Sequence, residues 1–241
     1  MGDGGVSTDG PAEAANSRAE PVDVHPPTWL ERGTYLAIRG ITLAWARLYL
    51  RLDVVGADKV PREQPFVLAP VHRSNLDFLL ASFLIPRRMR YMGKASLWKY
   101  KVTGRFFTML GAFPVHRGVA DRAAMRTVLQ VLEQNQEPVV MFPEGTRREG
   151  TMVEEVFDGP AYVGGRAGVV LVPVGIGGSD RAMPIGAKFI RPRKVSLVVG
   201  DPIEVAGAQG GRAPRRAVRE ASEKLKEELQ RLYDEAQRRS G

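Results

Sequence analysis

Six short apolar runs punctuate the chain: PFVLAPV (65–71), MRYMG (89–93), GAFPV (111–115), PVVMF (138–142), VVLVPVGI (169–176) and VSLVVG (195–200). They are of strand length, rich in Val and mostly not alternating, the pattern of strands covered on both faces. Between them, NLDFLLASFLI (75–85), KYKVTGRFFTML (99–110) and RAAMRTVLQVLEQN (122–135) have helical spacing. Such alternation predicts an α/β fold, a mostly parallel sheet flanked by helices. A last helix is expected over 213–239, with Pro214 near its start and Val218, Ala221, Leu225, Leu229 and Leu232 on one stripe. With 241 residues, 44% of them hydrophobic, and neither a repeat nor an internal linker, one domain over residues 52–241 suffices.

What precedes that domain divides in two. Residues 1–26 are acidic and rich in Gly, Ala, Pro and Ser, with no basic stretch leading into an apolar one. They are expected to form a disordered tail. Residues 27–51 read as a membrane-associated amphipathic helix. At 100° per residue, Leu30, Ala37, Ile38, Ile41, Ala44, Trp45 and Leu48, with Leu52 beyond, cover one wide face. Arg32, Arg39, Arg47 and Arg51 gather on the other beside Leu36, Leu43 and Leu50. The arginines rule out a clean span of ~20 apolar residues; the segment suits a bilayer interface, and the alternative is a helix packed over the domain.

Charge and composition narrow the chemistry. Because the tail is acidic, the remainder carries more than the whole excess of +8, which calls for an anionic partner: a membrane surface, a nucleic acid or a phosphorylated substrate. No recognition motif or aromatic-interleaved basic stripe accompanies the charge, so no nucleic acid is expected. The absence of cysteine excludes disulfides, thiolate metal sites and a cysteine nucleophile. Three histidines, His25, His72 and His116, are too few for a multi-histidine metal site, and no metal is expected.

The polar cluster HRSNLD (72–77) follows the first run and precedes a helical pattern. Ser74 and Asp77 have the spacing of a capping box, which accounts for both without catalysis. It does not account for His72. On one continuous helix His72 and Asp77 would lie about 140° apart, but across a strand-to-helix turn the carboxylate can return to the imidazole. A carboxylate on one ring nitrogen leaves the other free to take a proton from a hydroxyl. Both readings stand on these residues alone.

Three further stretches share the arrangement of polar residues at the end of an apolar run: GAFPVHR (111–117), FPEGTR (142–147) and VPV (172–174). In this order, with HRSNLD, they resemble the four blocks of the glycerolipid acyltransferase superfamily, in particular its PlsC-like 1-acyl-sn-glycerol-3-phosphate acyltransferases. H-x4-D alone is a weak signal; followed by an arginine block and then F-P-E-G-T-R it is a strong one. The likeness covers about residues 52–205, and 28–51 stand where the family has membrane-associated helices.

The resemblance implies that His72 is a general base and Asp77 its orienting partner. It implies that Lys94, Arg117, Glu144, Gly145, Thr146 and Arg147 help bind the glycerol phosphate of a lysophosphatidic acid-type acceptor. A phosphomonoester independently calls for guanidinium and ammonium donors. Arg117 and Arg147 could equally be solvated charges, Glu144 could pair with Arg147 or Arg148, and Gly145 could serve turn geometry. His116 is expected to be non-catalytic, and Pro173 and Val174 to shape a wall. The implied reaction is direct transfer from acyl-CoA or acyl-carrier protein, with no cofactor, making phosphatidic acid at the cytoplasmic side of the cell membrane. The alternatives are another acceptor or position, or a non-enzymatic basic membrane-surface module.

Overall fold

The computed structural model of the chain describes residues 28–115, 122–207 and 213–241. The tail expected over 1–26, His25, His116 and Arg117 lie outside the described residues. Among the described residues, seven strands form one sheet: β1 (Asp53–Val55), β2 (Val67–Pro70), β3 (Arg90–Lys94), β4 (Ala112–Val115), β5 (Val139–Val140), β6 (Leu171–Gly177) and β7 (Ser196–Val199). Their order is β1-β7-β6-β2-β5-β3-β4. All pairings are parallel except β6 with β7. Each of the six apolar runs supplies one strand, and both faces are covered: all seven residues of β6 and all four of β2 are buried.

The helices are α1 (Trp29–Tyr49), α2 (Asp77–Ala81), α3 (Lys101–Met109), α4 (Arg122–Glu133), α5 (Gly159–Ala167), α6 (Ser179–Ala182) and α7 (Arg215–Ser240). The stripe expected on α7 is buried from Val218 to Leu232. It meets β6 backbone to backbone: a Cβ on Gly175 would lie 2.3 Å from the Leu232 carbonyl, and one on Gly177 2.2 Å from that of Ala236. Only glycine permits that approach.

One of the expected helices needs correction. The helix expected over 75–85 is confined to Asp77–Ala81. Ser82, Phe83 and Leu84 bond three residues back, to Leu79, Leu80 and Ala81, so the coil tightens. Arg39 Nε and Nη2 take the Ser82 and Phe83 carbonyls at 3.1 and 2.9 Å, and Pro86 forbids continuation. The helix expected over 27–51 is α1, Trp29–Tyr49. α1 opens with a capping box of Thr28 and Glu31 and closes at Leu50; Arg51 takes φ 46°, and the chain enters β1 beside β7.

α1 turns its faces in an informative way. Tyr35, Ala46 and Leu50 are buried against the domain. Leu30, Ile41 and Leu48 point out, 61%, 71% and 83% exposed, with Ala37 and Ala44 between them. Arg32, Arg39 and Arg47 lie on the side of α1 turned to the domain: Arg32 and Arg47 keep their exposure, whereas Arg39 turns into the protein. No helix among the described residues is long and apolar enough to cross a membrane.

Candidate active site

β2 and β5 are neighbours, yet the connection after β2 runs toward β3 and the one after β5 toward β6. The chain leaves these two neighbours in opposite directions across the sheet, a reversal of the kind at which open α/β sheets form a crevice for ligands. HRSNLD follows β2, and FPEGTR follows β5.

At this point the chain reverses and closes the pair that the spacing left open. His72 Nδ1 lies 3.0 Å from Asp77 Oδ2. The same oxygen accepts the N–H groups of Arg73 and Ser74, each at 2.7 Å. Facing an acceptor-only carboxylate, Nδ1 carries the proton, and the Nε2 lone pair remains for a substrate. Nε2 has no hydrogen-bond partner among the described residues. The Phe142 ring stacks on the imidazole, centroids 4.0 Å apart. The Asp77 side chain is fully buried, while His72 keeps 13% of its surface.

The capping box expected at this turn forms only in half. Asp77 takes the Ser74 N–H, but Ser74 Oγ donates to the Met183 carbonyl (2.8 Å) and accepts from the Leu76 N–H (3.2 Å). α2 begins at Asp77 with no side-chain cap.

Glu144 does not pair with Arg147 or Arg148. Its oxygens lie 2.6 and 2.7 Å from Arg73 Nη1, and Oε2 also accepts the His72 backbone N–H at 2.9 Å. Both side chains are out of water, Arg73 at 1% and Glu144 at 0% exposure. The Arg73 guanidinium lies over the Tyr233 ring of α7, 4.8 Å from its centroid, and Nη2 donates to the Met152 carbonyl. The loop after β5 is sewn to the one after β2 a second time, Arg148 N–H to His72 carbonyl at 2.9 Å. Arg73 is the residue that sequence reasoning missed. Its signal was indirect: a glutamate at the end of a buried strand needs a cation, and the partner is remote in sequence.

The remaining candidates sit around this frame. Gly145 turns at φ 67°, with its N–H on the Phe142 carbonyl, so the glycine requirement there is conformational. Gly145 and Thr146 are exposed, and Arg147 is half-buried with no ion pair among the described residues. Lys94 ends β3, at the same carboxyl end of the sheet as His72; its side chain lies outside the described residues.

His72 opens onto a cavity of about 680 Å³. Its walls come from α1 (Ile38, Arg39, Thr42), the α2 region (Phe78, Leu79) and α3 with its flanks (Leu97, Phe106, Phe107, Leu110). Tyr91 closes one side, and burial pushes its phenol well above the ordinary value, so it stays neutral. Arg39 is the cation among the described lining residues; burial, partly offset by Tyr35, lowers its pKa. A base at the mouth of an apolar cavity suits a reaction in which a hydroxyl is activated beside a long hydrocarbon.

Known proteins are similar to this chain over much of its length. A 1-acyl-sn-glycerol-3-phosphate acyltransferase of Streptococcus pneumoniae is 25% identical, covering 85% of this chain and 75% of the relative. One of Chlamydomonas reinhardtii is 28% identical over 63% of this chain and 46% of the relative, so the chain spans about half of the algal protein's length. The fold matches that of the 1-acyl-sn-glycerophosphate (LPA) acyltransferase PlsC from Thermotoga maritima, with TM-score 0.65 and 23% identity over 83% of this chain and 79% of that one. The Acyltransferase family is matched over residues 51–177, which takes in every residue from His72 to Arg147 and more than half of the chain, and the chain belongs to that family.

Proposed function

We propose that the chain moves a fatty acyl group from an acyl thioester to the free hydroxyl of 1-acyl-sn-glycerol-3-phosphate, making phosphatidic acid. The observation that carries the reading is the His72–Asp77 pair, whose free Nε2 faces an apolar cavity of about 680 Å³. His72 Nε2 takes the hydroxyl proton as the oxygen attacks the thioester carbonyl. The tetrahedral adduct collapses, the C–S bond breaks, and the departing thiolate recovers the proton from Nε2–H. Asp77 holds the ring and its charge throughout. The chain has no cysteine to form a thioester intermediate.

Roles divide among the other residues by exposure. Arg147, with Lys94, Arg117 and the exposed Gly145–Thr146 backbone, is assigned to the acceptor's phosphate. Glu144 is assigned to support: buried on Arg73 and His72 N–H, it fixes the loop and does not meet the phosphate. The donor is acyl-CoA or acyl-carrier protein, and no cofactor takes part.

Acceptor choice tests the assignment. Lysophosphatidic acid should outperform the same monoacylglycerol by roughly 10²-fold or more in kcat/KM, because cations left without a phosphate penalise the neutral analogue. Arg147→Ala should raise the acceptor's KM about tenfold, the scale of one hydrogen bond to a charged group, and leave the donor's unchanged. Mass spectrometry of the products, with positional analysis, reads both the acceptor and the acylated hydroxyl. Equal rates with the two acceptors would remove the glycerol phosphate while leaving acyl transfer in place.

Peripheral membrane association at the cytoplasmic side completes the proposal, supported by the outward apolar stripe of α1. The Ile41→Asp, Leu48→Asp double variant should partition onto vesicles at least tenfold less than the parent, since each apolar side chain withdrawn from lipid forfeits about 1.5–3 kcal/mol. Flotation assays decide it. A parent protein that ignores vesicles altogether would make α1 an ordinary packed helix.

A further inference from the structure

Between α6 and β7 runs a loop whose composition the acyl-transfer chemistry does not use. From Arg181 through Gly200 there is no carboxylate, while Lys188, Arg191, Arg193 and Lys194 lie in the stretch. Lys188, Arg191 and Arg193 are exposed and have no ion pair or side-chain hydrogen bond among the described residues. Within it, Phe189 is 82% exposed, an apolar ring set among cations.

This exposure does not come from a slack segment. The Arg191 N–H bonds the Ala182 carbonyl at 2.8 Å and closes the loop on itself. Inside it, Ala187 N–H on the Pro184 carbonyl, with Gly186 at φ 83°, makes a tight turn. The base is pinned to two other elements: Ser74 Oγ donates to the Met183 carbonyl, and Tyr49 Oη donates to the Ile190 carbonyl at 3.0 Å. Tyr49 lies at the end of α1, stacked on Trp45 and next to the outward Leu48. The loop is therefore ordered and joined to the end of α1 beside its outward Leu48, and its Met183 end stands beside the HRSNLD turn.

An aromatic ring flanked by unpaired cations has the chemistry of a bilayer interface, where the ring enters the acyl boundary and the cations meet lipid phosphates. We propose that the closed loop 182–191, with Arg193, is a second lipid-contact element that holds the protein on anionic membranes: Phe189 enters the interface while Lys188, Arg191 and Arg193 take headgroup phosphates. It rests on the reading of α1 as an interfacial helix and adds to it a preference for negative lipid. With contacts at α1 and at this loop, the HRSNLD turn is held near the surface from which a lipid acceptor arrives.

The test uses the full chain and two kinds of vesicle, phosphatidylcholine alone and phosphatidylcholine mixed with phosphatidylglycerol. Phe189→Ala should weaken partitioning onto both about tenfold, the scale of one large apolar side chain. The triple variant Lys188→Gln, Arg191→Gln, Arg193→Gln should lose on the order of 10²-fold on the mixed vesicles only, about fivefold per cation, together with most of the salt dependence. Turnover in detergent micelles should stay at the parent value, because the loop touches no reacting group. If both variants bind vesicles as the parent does while the Ile41→Asp, Leu48→Asp protein does not, the loop is no lipid contact and the α1 reading survives. If the parent binds no vesicle, both readings fall. A rise in KM for acyl-CoA or acyl-carrier protein in the triple variant, with vesicle binding unchanged, would make the loop a donor dock and overturn the proposal.

Discussion

Replacing His72 by alanine leaves a folded protein whose acyl transfer falls by at least ~10²-fold, the scale on which a general base contributes. The ring makes one hydrogen bond, to Asp77, and one stacking contact, on Phe142, so its loss opens a gap at the cavity mouth without touching the core. Asp77→Asn also lowers turnover, because an amide on Nδ1 no longer imposes a single tautomer. It disturbs structure as well, since Oδ2 holds the Arg73 and Ser74 N–H groups and defines the turn. Circular dichroism separates the two effects: native spectra are expected for both variants, with a lower melting temperature for Asp77→Asn alone. Near-normal turnover in His72→Ala would remove this residue from the mechanism.

The largest effect on stability is expected at Arg73. Arg73→Met strands the Glu144 carboxylate in a site of 0% exposure, and breaking a buried pair from one side costs about 3–5 kcal/mol. That is a large part of the ~5–15 kcal/mol that holds a domain together. Adding Glu144→Gln should restore most of the loss, since the buried charge goes and the amide oxygen still accepts the His72 N–H. Denaturation midpoints of the two variants measure the difference. A single variant within about 1 kcal/mol of the parent would mean that water or another cation reaches Glu144.

The strands were the most legible part of the sequence because their signal is local: a Val-rich run bounded by breakers needs no partner to be recognised. β1 escaped because its three residues, Asp53–Val55, continue an apolar segment that is helical up to Tyr49, and the break is a backbone event at Arg51. α5 escaped for the opposite reason. Gly159, Gly164 and Gly165 argue against a helix, yet a Cβ on Gly165 would sit 2.7 Å from the Ala213 Cβ, so close packing outweighs propensity. The short α2 shows a third kind of override, in which Pro86 leaves the Ser82 carbonyl without a helical donor and Arg39 satisfies it and that of Phe83 instead.

The site divided along the same line. His72 and Asp77 were readable together because they belong to one turn, and the structure brings them within hydrogen-bond reach. Glu144 was readable as a polar residue in a loaded place, but its partner was not. Nearness in sequence suggested Arg147 or Arg148, and the fold supplied Arg73 through the adjacency of β2 and β5. Spacing groups Arg39 with the arginines of a lipid-facing helix, whereas its bonds to the carbonyls beyond α2 depend on a contact between distant segments.

The place of β5 between β2 and β3 bears on how the protein is made. β2 and β3 follow one another in the chain but are held apart by a strand synthesised some fifty residues after β3 starts, at Val139–Val140. A nascent chain that has emerged only as far as α4 carries the whole HRSNLD turn, yet lacks the strand that aligns it and the Glu144 that holds the His72 N–H. Until β5 arrives, the vacant lane exposes two apolar strand edges to each other and to other chains. Insertion of this two-residue strand is a closure over long sequence separation, the kind of step that slows folding, and the site is incomplete before it.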